Sequence, residues 1–277
     1  MMKDKVVIIT GGSSGIGKAL AFEVGSMGAK VVITGRDHVR LFETKNELEK
    51  SGIVCLAIVS DVSIESDNEN VINTTIRNFG KIDVLINNAG ITMRAMFEDA
   101  DIDATIRKVM EINFFGAMYI TQQAIPYLKV TKGSIVGISS IAGFRGLPVR
   151  SGYSASKFAL NGFLEALRTE LLPDNVHVLT ACPGFTSSNI RYSALDSHGN
   201  LSGETVRNES SMMSAEECAT EIVKAIEKRK RTLILTPVGK LTVWLNKLFP
   251  RLTDYLVYKE LAKEKDSPLK KDLESHS

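Results

Sequence analysis

Short apolar runs recur along the chain, and turn-forming residues bound each of them. The runs are rich in β-branched side chains and do not alternate with polar residues, as expected for strands covered on both faces. They occupy residues 5–10, 30–34, 54–59, 84–87, 134–139, 176–181 and 232–235. Longer segments between them have helical apolar spacing, notably 18–27, 70–78, 102–128, 153–172 and 215–228. Seven strands that alternate with about six helices predict an α/β fold, a doubly wound parallel sheet with helices on both faces.

The strand pattern ends near residue 238, so we assign residues 1–238 to one domain and residues 239–277 to a C-terminal appendage. In the appendage, leucines and aromatic residues recur at helical spacing on both sides of Pro250, which predicts two short amphipathic helices. Residues 224–277 hold 13 Lys and Arg against 7 Asp and Glu. An apolar face flanked by cations suits a membrane surface, yet it equally suits packing on the core or on a second subunit.

Composition and charge narrow the function classes. The 277 residues are 44% hydrophobic and 24% charged, as in an ordinary globular protein, and the net charge of +2 argues against nucleic acid as a partner. The three cysteines, Cys55, Cys182 and Cys218, are far apart, and the four histidines show no ligand spacing. We therefore expect no disulfide framework and no metal. No signal-peptide core or long apolar run is found, which favours a cytoplasmic location, with peripheral contact at the inner membrane surface if the appendage binds lipid.

The turn after the first predicted strand has the composition of a phosphate-binding loop. Its sequence is TGGSSGIG, residues 10–17, between a strand and a helix. Gly11, Gly15 and Gly17 allow a tight turn and a close backbone approach, and the N-terminus of the following helix offers free N–H groups to a phosphate. Glycine turns also occur for purely structural reasons. The residues at the end of the second strand are therefore needed to distinguish a cofactor-binding turn from a structural one.

That second strand ends in Gly35, Arg36 and Asp37. Dinucleotide-binding folds of the Rossmann type recognise the adenosine ribose at this place, through an acidic side chain for NAD or a basic one for NADP. Gly35 leaves the acidic position empty, and Arg36 beside it can pair with a 2′-phosphate. This favours NADP(H), although Asp37 could accept a hydrogen bond from a ribose hydroxyl, and Arg36 could be a solvated loop cation.

Tyr153 and Lys157 lie four residues apart, on one face of a predicted helix. An ammonium ~4 Å away, at an effective dielectric constant of ~20, stabilises a phenolate by about 4 kcal/mol. That would bring the phenol pKa of about 10 close to neutrality. In bulk water the gain is only ~1 kcal/mol, so the pair carries chemistry only if it is desolvated.

Further polar residues follow the ends of other predicted strands. Ser140 ends the fifth strand, the motif NNAG (87–90) ends the fourth, and Asn113 lies in the helix after it. With TGGSSGIG, Asp61, YSASK (153–157) and PG (183–184), these motifs stand in the order found in the short-chain dehydrogenase/reductase family, over about residues 5–236. The chain resembles the commonest, single-domain branch of that family.

The resemblance implies the role of each residue. Tyr153 exchanges a proton with the carbonyl or alcohol oxygen of the substrate, and Ser140 hydrogen-bonds the same oxygen. Lys157 lowers the pKa of Tyr153 and binds the nicotinamide ribose, while Asn113 holds a water that relays protons to Lys157. Besides Arg36, the NADP(H)-binding residues are expected at Gly11, Ser13, Ser14, Gly15, Ile16, Asp61, Val62, Asn88, Ala89, Gly90, Tyr153, Lys157, Pro183, Gly184, Thr186 and Ser188.

Two assignments stay open at this point. After PG the family usually carries an aliphatic residue and then, two positions on, a threonine for the nicotinamide amide, but here Thr186 takes the aliphatic position. Either Thr186 or Ser188 could contact the amide. Ser139 adjoins Ser140, and only the spacing to Tyr153 selects Ser140.

The substrate is expected to be a small carbonyl or alcohol compound. The sequence looks most like lipid-directed members of the family, such as 3-ketosphinganine reductases and 11β-hydroxysteroid dehydrogenases, which favours an apolar keto-lipid or steroid over small ketones in general. The polar segment 187–214 is predicted to be a lid. In this family the long helices 102–128 and 153–172 pair across a two-fold axis, so a homodimer or homotetramer is expected.

Two functions from other classes compete with this one. A β-lactamase-like acyl enzyme would use SASK (154–157) and SDN (66–68), but the motif order is wrong and K-T-G is missing. A non-catalytic NADP(H)-binding sensor would keep the fold without the chemistry, which the four reacting residues together argue against.

Overall fold

A computed structural model describes residues 2–184, 186, 193–201, 212–264 and 267–270. Seven strands form one parallel sheet, in the order β3-β2-β1-β4-β6-β7-β9. They are β1 (Val6–Ile9), β2 (Lys30–Gly35), β3 (Cys55–Val59), β4 (Val84–Asn87), β6 (Ser134–Ile138), β7 (His177–Cys182) and β9 (Thr232–Ile234). Two further strands, β5 (Thr92–Met93) and β8 (Ala194–Leu195), pair separately. The strand order reverses next to β1, so the predicted doubly wound α/β fold is confirmed.

Helices cover both faces of the sheet. They are α1 (Gly15–Ser26), α2 (His38–Lys50), α3 (Glu65–Phe79), α4 (Lys108–Met110), α5 (Gly116–Thr131), α6 (Ser151–Glu170), α7 (Ala215–Glu227), α8 (Pro237–Leu248) and α9 (Pro250–Ala262). The chain is helical throughout residues 102–131, because π-helical turns at Ile102–Arg107 and Glu111–Phe115 precede α4 and α5. The sequence predicted this long helix but not its π turns.

The sheet lies between two apolar cores. On one face α1, α2 and α7 pack on the strands, and on the other α3, α5 and α6 do. Within β1, Val7 and Ile9 belong to the first core and Val6 and Ile8 to the second, and all four are fully buried. This two-sided burial, which stabilises by roughly 1.5–3 kcal/mol per large apolar side chain, is why the strands are continuously apolar.

The helix pair α8 and α9 packs against the segment that joins β6 to α6. Gly239 and Val243 of α8 and Leu261 and Ala262 of α9 are buried there. The opposite side of the pair is exposed and apolar, with Leu241, Trp244, Leu248, Phe249, Leu252, Tyr255 and Leu256 each more than two-fifths accessible. None of the helices within the described ranges combines the length and the apolar character needed to cross a bilayer.

Most of the expected lid, residues 187–214, lies outside the described residues. The described part 193–201 is attached to the start of the helical segment 102–131. Asp101 donates its backbone N–H to Ser197 at 2.8 Å, and the Thr105 hydroxyl donates to the Asp196 carbonyl at 2.9 Å. Thr186 forms an isolated bridge with Met213.

Candidate active site

The glycine turn joins the end of β1 to the start of α1. Gly11 and Gly15 have φ values of +64° and +51°, in the left-handed region that favours glycine. A Cβ at Gly17 would collide with the Gly11 carbonyl oxygen, so the first turn of α1 sits directly on the loop. Asn88 fixes the loop from β4, since its Nδ2 donates to the carbonyls of Thr10 at 2.9 Å and Gly11 at 3.0 Å.

The N-terminus of α1 is open toward the same cleft. Ser14 occupies the N-cap position, but its side chain makes no capping hydrogen bond. The first backbone N–H groups of the helix are therefore not satisfied by a cap, and Ser13, Ser14, Gly15 and Ile16 line the cleft. An uncapped helix start beside a glycine turn fits the diphosphate of a dinucleotide.

At the end of β2, the carboxylate of Asp37 caps α2. Its Oδ1 accepts from the backbone N–H of Arg40 at 3.0 Å, and its Oδ2 lies 3.6 Å from the Arg40 side chain. The carboxylate is thus engaged within the protein, which weakens the sequence argument that it binds a ribose hydroxyl. Both Arg36 and Arg40 line the cleft next to Gly35 and Ser13. Arg40, four residues after Arg36, is a cation that the sequence analysis overlooked.

The side chains of Asp61 and Val62 have different surroundings. Asp61 lines a small pocket beside the main cleft together with Arg36, whose Nη1 lies 3.6 Å from Oδ2 of Asp61. Burial alone would raise the pKa of Asp61, but hydrogen bonds from Ser63 and the charge of Arg36 hold it below its usual range. The Val62 side chain is instead buried in an apolar cluster with Ile91.

Tyr153 and Lys157 lie on the inner face of α6, and only 8% and 3% of their surfaces are exposed. The Lys157 ammonium donates to the Ile138 carbonyl at 2.9 Å and lies 5.8 Å from the centre of the Tyr153 ring. Both residues line the cleft. The pair is therefore desolvated, which was the condition for it to carry chemistry.

The pKa of Tyr153 reflects the burial of its side chain. Burial raises it, against smaller lowering effects from the Ser140 hydrogen bond and the Arg150 charge. Burial also lowers the pKa of Lys157 to about 8. In this structure the Lys157 ammonium points to Ile138 and desolvation of the phenolate outweighs the attractive charges, so the lowering of the Tyr153 pKa by Lys157 stays a prediction. A neutral phenol is the form that donates a proton.

Ser140 rather than Ser139 faces Tyr153. The Ser140 hydroxyl lowers the pKa of Tyr153, and it accepts from the backbone N–H of Ala142 at 3.1 Å. Ser139 is buried, and its hydroxyl is directed at the carbonyl of Lys157, 3.5 Å away. The structure thus agrees with the spacing argument for Ser140.

Asn113 holds the chain that follows β4. Its Oδ1 accepts from the backbone N–H of Ile91 at 2.8 Å, and its Nδ2 donates to the Ile91 carbonyl and the Ser156 hydroxyl, both at 2.9 Å. Both N–H groups of the amide are thereby used. The π turn Glu111–Phe115 carries Asn113, and Gly90 accommodates it, since a Cβ there would lie 3.1 Å from Oδ1.

The remaining predicted cofactor residues lie at the same edge of the sheet. Asn88, Ala89 and Gly90 after β4, and Pro183, Gly184 and Thr186 after β7, all line the cleft. The Thr186 hydroxyl is 3.4 Å from the Gly184 carbonyl. Ser188 lies outside the described residues, so the choice between Thr186 and Ser188 for the amide contact is still open.

One cleft, with a volume of about 1400 Å³, contains the glycine turn, Ser140, Tyr153 and Lys157. It continues past the reacting groups between the start of α6 and the C-terminal helices. The sequence analysis missed the residues that line this part, namely Met93, Arg94, Leu147, Arg150, Leu245, Leu256, Val257, Glu260, Leu261 and Glu264. Their scattered positions give no motif, so only the three-dimensional arrangement identifies them.

Comparison with known proteins identifies the family. A family model described as short chain dehydrogenase matches residues 5–198. The chain belongs to the short-chain dehydrogenase/reductase family. The family model ends before the C-terminal helices, whereas individual relatives match along nearly the whole chain.

Two curated relatives and one solved structure extend this result. Dehydrogenase/reductase SDR family member 7B of Mus musculus is 34% identical over 276 residues, covering 96% of this chain and 84% of the relative. The 11-beta-hydroxysteroid dehydrogenase-like 4A of Arabidopsis thaliana is 37% identical over 256 residues, covering 90% and 82%. The crystal structure of a short-chain dehydrogenase/reductase from Burkholderia phymatum, in complex with NAD, has a TM-score of 0.81 and 25% identity, covering 91% of this chain and 95% of that one.

Proposed function

We propose that this short-chain dehydrogenase/reductase interconverts a ketone and a secondary alcohol with NADP(H), on an apolar substrate. The observation that carries the proposal is one cleft, in which Ser140 and the buried Tyr153 and Lys157 lie beside the uncapped start of α1. A non-catalytic sensor would need the uncapped start of α1 to bind the cofactor, but it would not need Ser140, Tyr153 and Lys157 beside it. The coarser activity, that of an oxidoreductase, follows from family membership.

The chain's own residues would handle the proton and orient the reactants. The bound nicotinamide supplies or accepts the hydride. Tyr153 donates its phenolic proton to the substrate oxygen, and its raised pKa keeps that proton in place at neutral pH. Ser140 hydrogen-bonds the same oxygen, where negative charge develops. The Lys157 ammonium lies 5.8 Å from the centre of the Tyr153 ring. Asn113 fixes the loop after β4, which would hold the nicotinamide ribose.

NADP(H) is proposed over NAD(H) because two guanidinium groups line the cleft at the end of β2. Arg36 and Arg40 line the cleft together with Gly35, where an NAD-binding site places a carboxylate. Asp37, the nearest candidate for that role, caps α2. The Burkholderia relative contains NAD, which makes a direct measurement of the preference worthwhile.

An apolar substrate is proposed from the wall beyond Tyr153. Met93, Leu147, Leu245, Leu256 and Leu261 line that part of the cleft. Such a wall favours a hydrophobic body, as in a keto-lipid or a steroid, over a small sugar. The Arabidopsis relative is named an 11-beta-hydroxysteroid dehydrogenase-like protein, which supports the same class.

The deciding experiment compares the wild type with Tyr153→Phe on a panel of apolar and polar ketones, followed by NADPH absorbance. Loss of the proton donor should lower kcat by 10²-fold or more. NADPH binding should be kept in the variant, which can be followed by cofactor fluorescence. Equal kcat values would contradict the mechanism, turnover of polar sugars alone would contradict the substrate class, and binding without any turnover would favour the sensor.

A peripheral membrane contact is proposed for α8 and α9. The sequence left packing and membrane contact as alternatives. The two sides of the helix pair allow both, one for each side. One side packs on the core, while the other exposes Trp244, Phe249 and Tyr255 among leucines. Leu256 is half-exposed and also lines the cleft, so the exposed side continues into the substrate site. An apolar substrate could reach the cleft along this side.

A further inference from the structure

The segment between Ser140 and Tyr153 carries both proposed reacting groups, one at each end. It turns sharply before α6, where Val149 has a φ of +56°. This left-handed conformation is unfavourable for a β-branched residue and persists only where neighbours enforce it. Val149 is buried against Leu261 and Ala262 at the end of α9. The C-terminal helices therefore hold the turn that places Tyr153.

Polar contacts fasten the same segment to the helix pair. Arg145 donates to the Asn246 side chain at 3.1 Å and pairs with Asp254 at 2.6 Å. Asn246 in turn donates to the Phe144 carbonyl at 3.1 Å. These contacts lie toward the middle of the segment.

The contact nearest to Tyr153 is an ion pair between Arg150 and Glu264. Arg150 is the N-cap residue of α6, three residues before Tyr153, and its Nη2 lies 3.2 and 3.0 Å from the two carboxylate oxygens of Glu264. The Glu264 side chain is 2% exposed, and the Arg94 Nε lies 3.9 Å from it. A buried carboxylate requires such partners, since breaking a buried pair leaves an uncompensated charge.

We propose that Glu264 is a positioning residue for Tyr153, acting through Arg150. Glu264 fixes the Arg150 guanidinium at the start of α6 and partly neutralises its charge, and both residues line the cleft that contains Tyr153. The C-terminal segment thus contributes a positioning residue as well as one wall of the cleft. The inference rests on the proposed function of Tyr153 as the proton donor.

Removing the charge of Glu264 should change the pKa of Tyr153 in a definite direction. Burial raises the pKa of Tyr153, while the Ser140 hydroxyl and the Arg150 charge lower it. Besides Arg150, Ser140 and Lys157 lie against Tyr153, and Cys182, whose pKa is raised to about 12, remains a neutral thiol. Around Glu264 the cleft is lined by Arg94, Glu260 and Lys263. Neutralising Glu264 leaves the Arg150 charge less compensated, so it should lower the pKa of Tyr153.

The test uses Glu264→Gln, which keeps the side-chain shape and removes the charge. We expect kcat for ketone reduction to fall by about tenfold, since a small misplacement of a reacting group costs up to 10² in rate. The kcat/KM profile should have an upper alkaline limb, above the titration of Lys157, where Tyr153 loses its proton, and this limb should move to lower pH. Arg150→Met should move the limb to higher pH, and Glu264→Asp should restore part of kcat.

The matched control is Asp254→Asn, which also removes an ion pair between the C-terminal helices and the segment but leaves Arg150 untouched. It should not move the limb. Shifts of Glu264→Gln and Arg150→Met in the same direction, or a Glu264→Gln profile identical to that of the wild type, would overturn the inference. Circular dichroism and NADPH binding verify that each variant is folded.

Failure of the inference and failure of the proposed function give different results. If the wild type turns over no ketone, the function fails, and the Tyr153 pKa is then read from tyrosinate absorbance as the difference between wild type and Tyr153→Phe. An unchanged Tyr153 titration in Glu264→Gln overturns the positioning role by that route as well. If the wild type is active and Tyr153→Phe is not, an unchanged Glu264→Gln overturns the inference alone.

Discussion

At the scale of single residues, Arg36 and Arg40 give the cofactor proposal its sharpest test. Arg36→Leu combined with Arg40→Leu should weaken NADPH binding by about 10²-fold or more, because each charge-assisted hydrogen bond to a phosphate contributes about 1.5–3 kcal/mol. NADH binding should change little. Cofactor dissociation constants measured by fluorescence titration check both statements.

Arg77→Leu is a suitable control for this experiment, since Arg77 is exposed on α3 and donates to Thr74. It should leave both cofactors unaffected. Equal losses for NADPH and NADH in the double variant would mean that the two arginines do not read a 2′-phosphate.

Single residues also show where sequence reasoning succeeds and where it stops. Tyr153 and Lys157 were predictable because four residues of helix place them on one face. Arg150 and Glu264 were not, since 114 positions separate them and only the return of the C-terminal segment brings them together. The burial of Tyr153 and the direction of the Lys157 ammonium were not predictable, because spacing says nothing about either.

At the scale of elements, the continuous apolar runs predicted the strands well because burial on both faces excludes polar residues from them. The π turns before α5 were not predictable, because a π turn and an α turn leave almost the same apolar spacing. Ends of elements also shifted by a residue or two: β1 covers Val6–Ile9, whereas the sequence predicted residues 5–10. The hydrogen bonds of flanking residues set such limits.

Asp83 joins the starts of β1 and β4 and gives a prediction at this scale. It is 3% exposed, accepts from the Val6 backbone N–H at 2.9 Å, and pairs with Lys5 and Lys81, both at 2.9 Å. Asp83→Asn should lower the free energy of unfolding by about 1–3 kcal/mol, since it removes charge from these hydrogen bonds. Urea denaturation at neutral pH measures the loss.

The pH dependence of that loss has a definite sign. Burial alone would raise the pKa of Asp83, but hydrogen bonds from Lys5, Val6 and Lys81 hold it below its usual value. A lowered folded-state pKa means that the stabilisation is complete above the unfolded pKa of about 3.9 and disappears as the pH falls through the folded one. The difference between wild type and variant should therefore shrink in acid. Glu49→Gln, in the exposed pair with Lys45, should cost less than about 1 kcal/mol at any pH.

At the scale of the whole molecule, the C-terminal helices have three roles that could not be connected from the sequence alone. They form one wall of the cleft, they hold the segment before Tyr153, and they present an exposed apolar side. A truncation from residue 239 would remove all three at once, because it would also delete Glu264. The homodimer or homotetramer expected from the sequence stays a prediction, since the structure describes one chain.

Membrane contact is therefore tested with surface substitutions instead of a truncation. Trp244 and Leu248 are 54% and 55% exposed, so Trp244→Ser combined with Leu248→Ser should leave the fold and the Arg150–Glu264 pair intact. The wild type should co-sediment with vesicles that contain phosphatidylserine, and the double variant should not, because the variant lacks the large side chains that enter the interface.

Lys240, Lys247, Arg251 and Lys259 of α8 and α9 would supply the electrostatic part of the proposed contact. Each cation near an anionic surface contributes about 1 kcal/mol, so Lys247→Gln should weaken vesicle binding about fivefold at low salt and less at high salt. Val130→Ser, on an 84% exposed site of α5, is the control and should bind as the wild type does. If the wild type does not bind vesicles even at low salt, α8 and α9 form the cleft wall and hold Arg150 in place, and packing on a second subunit is the alternative left for their exposed side.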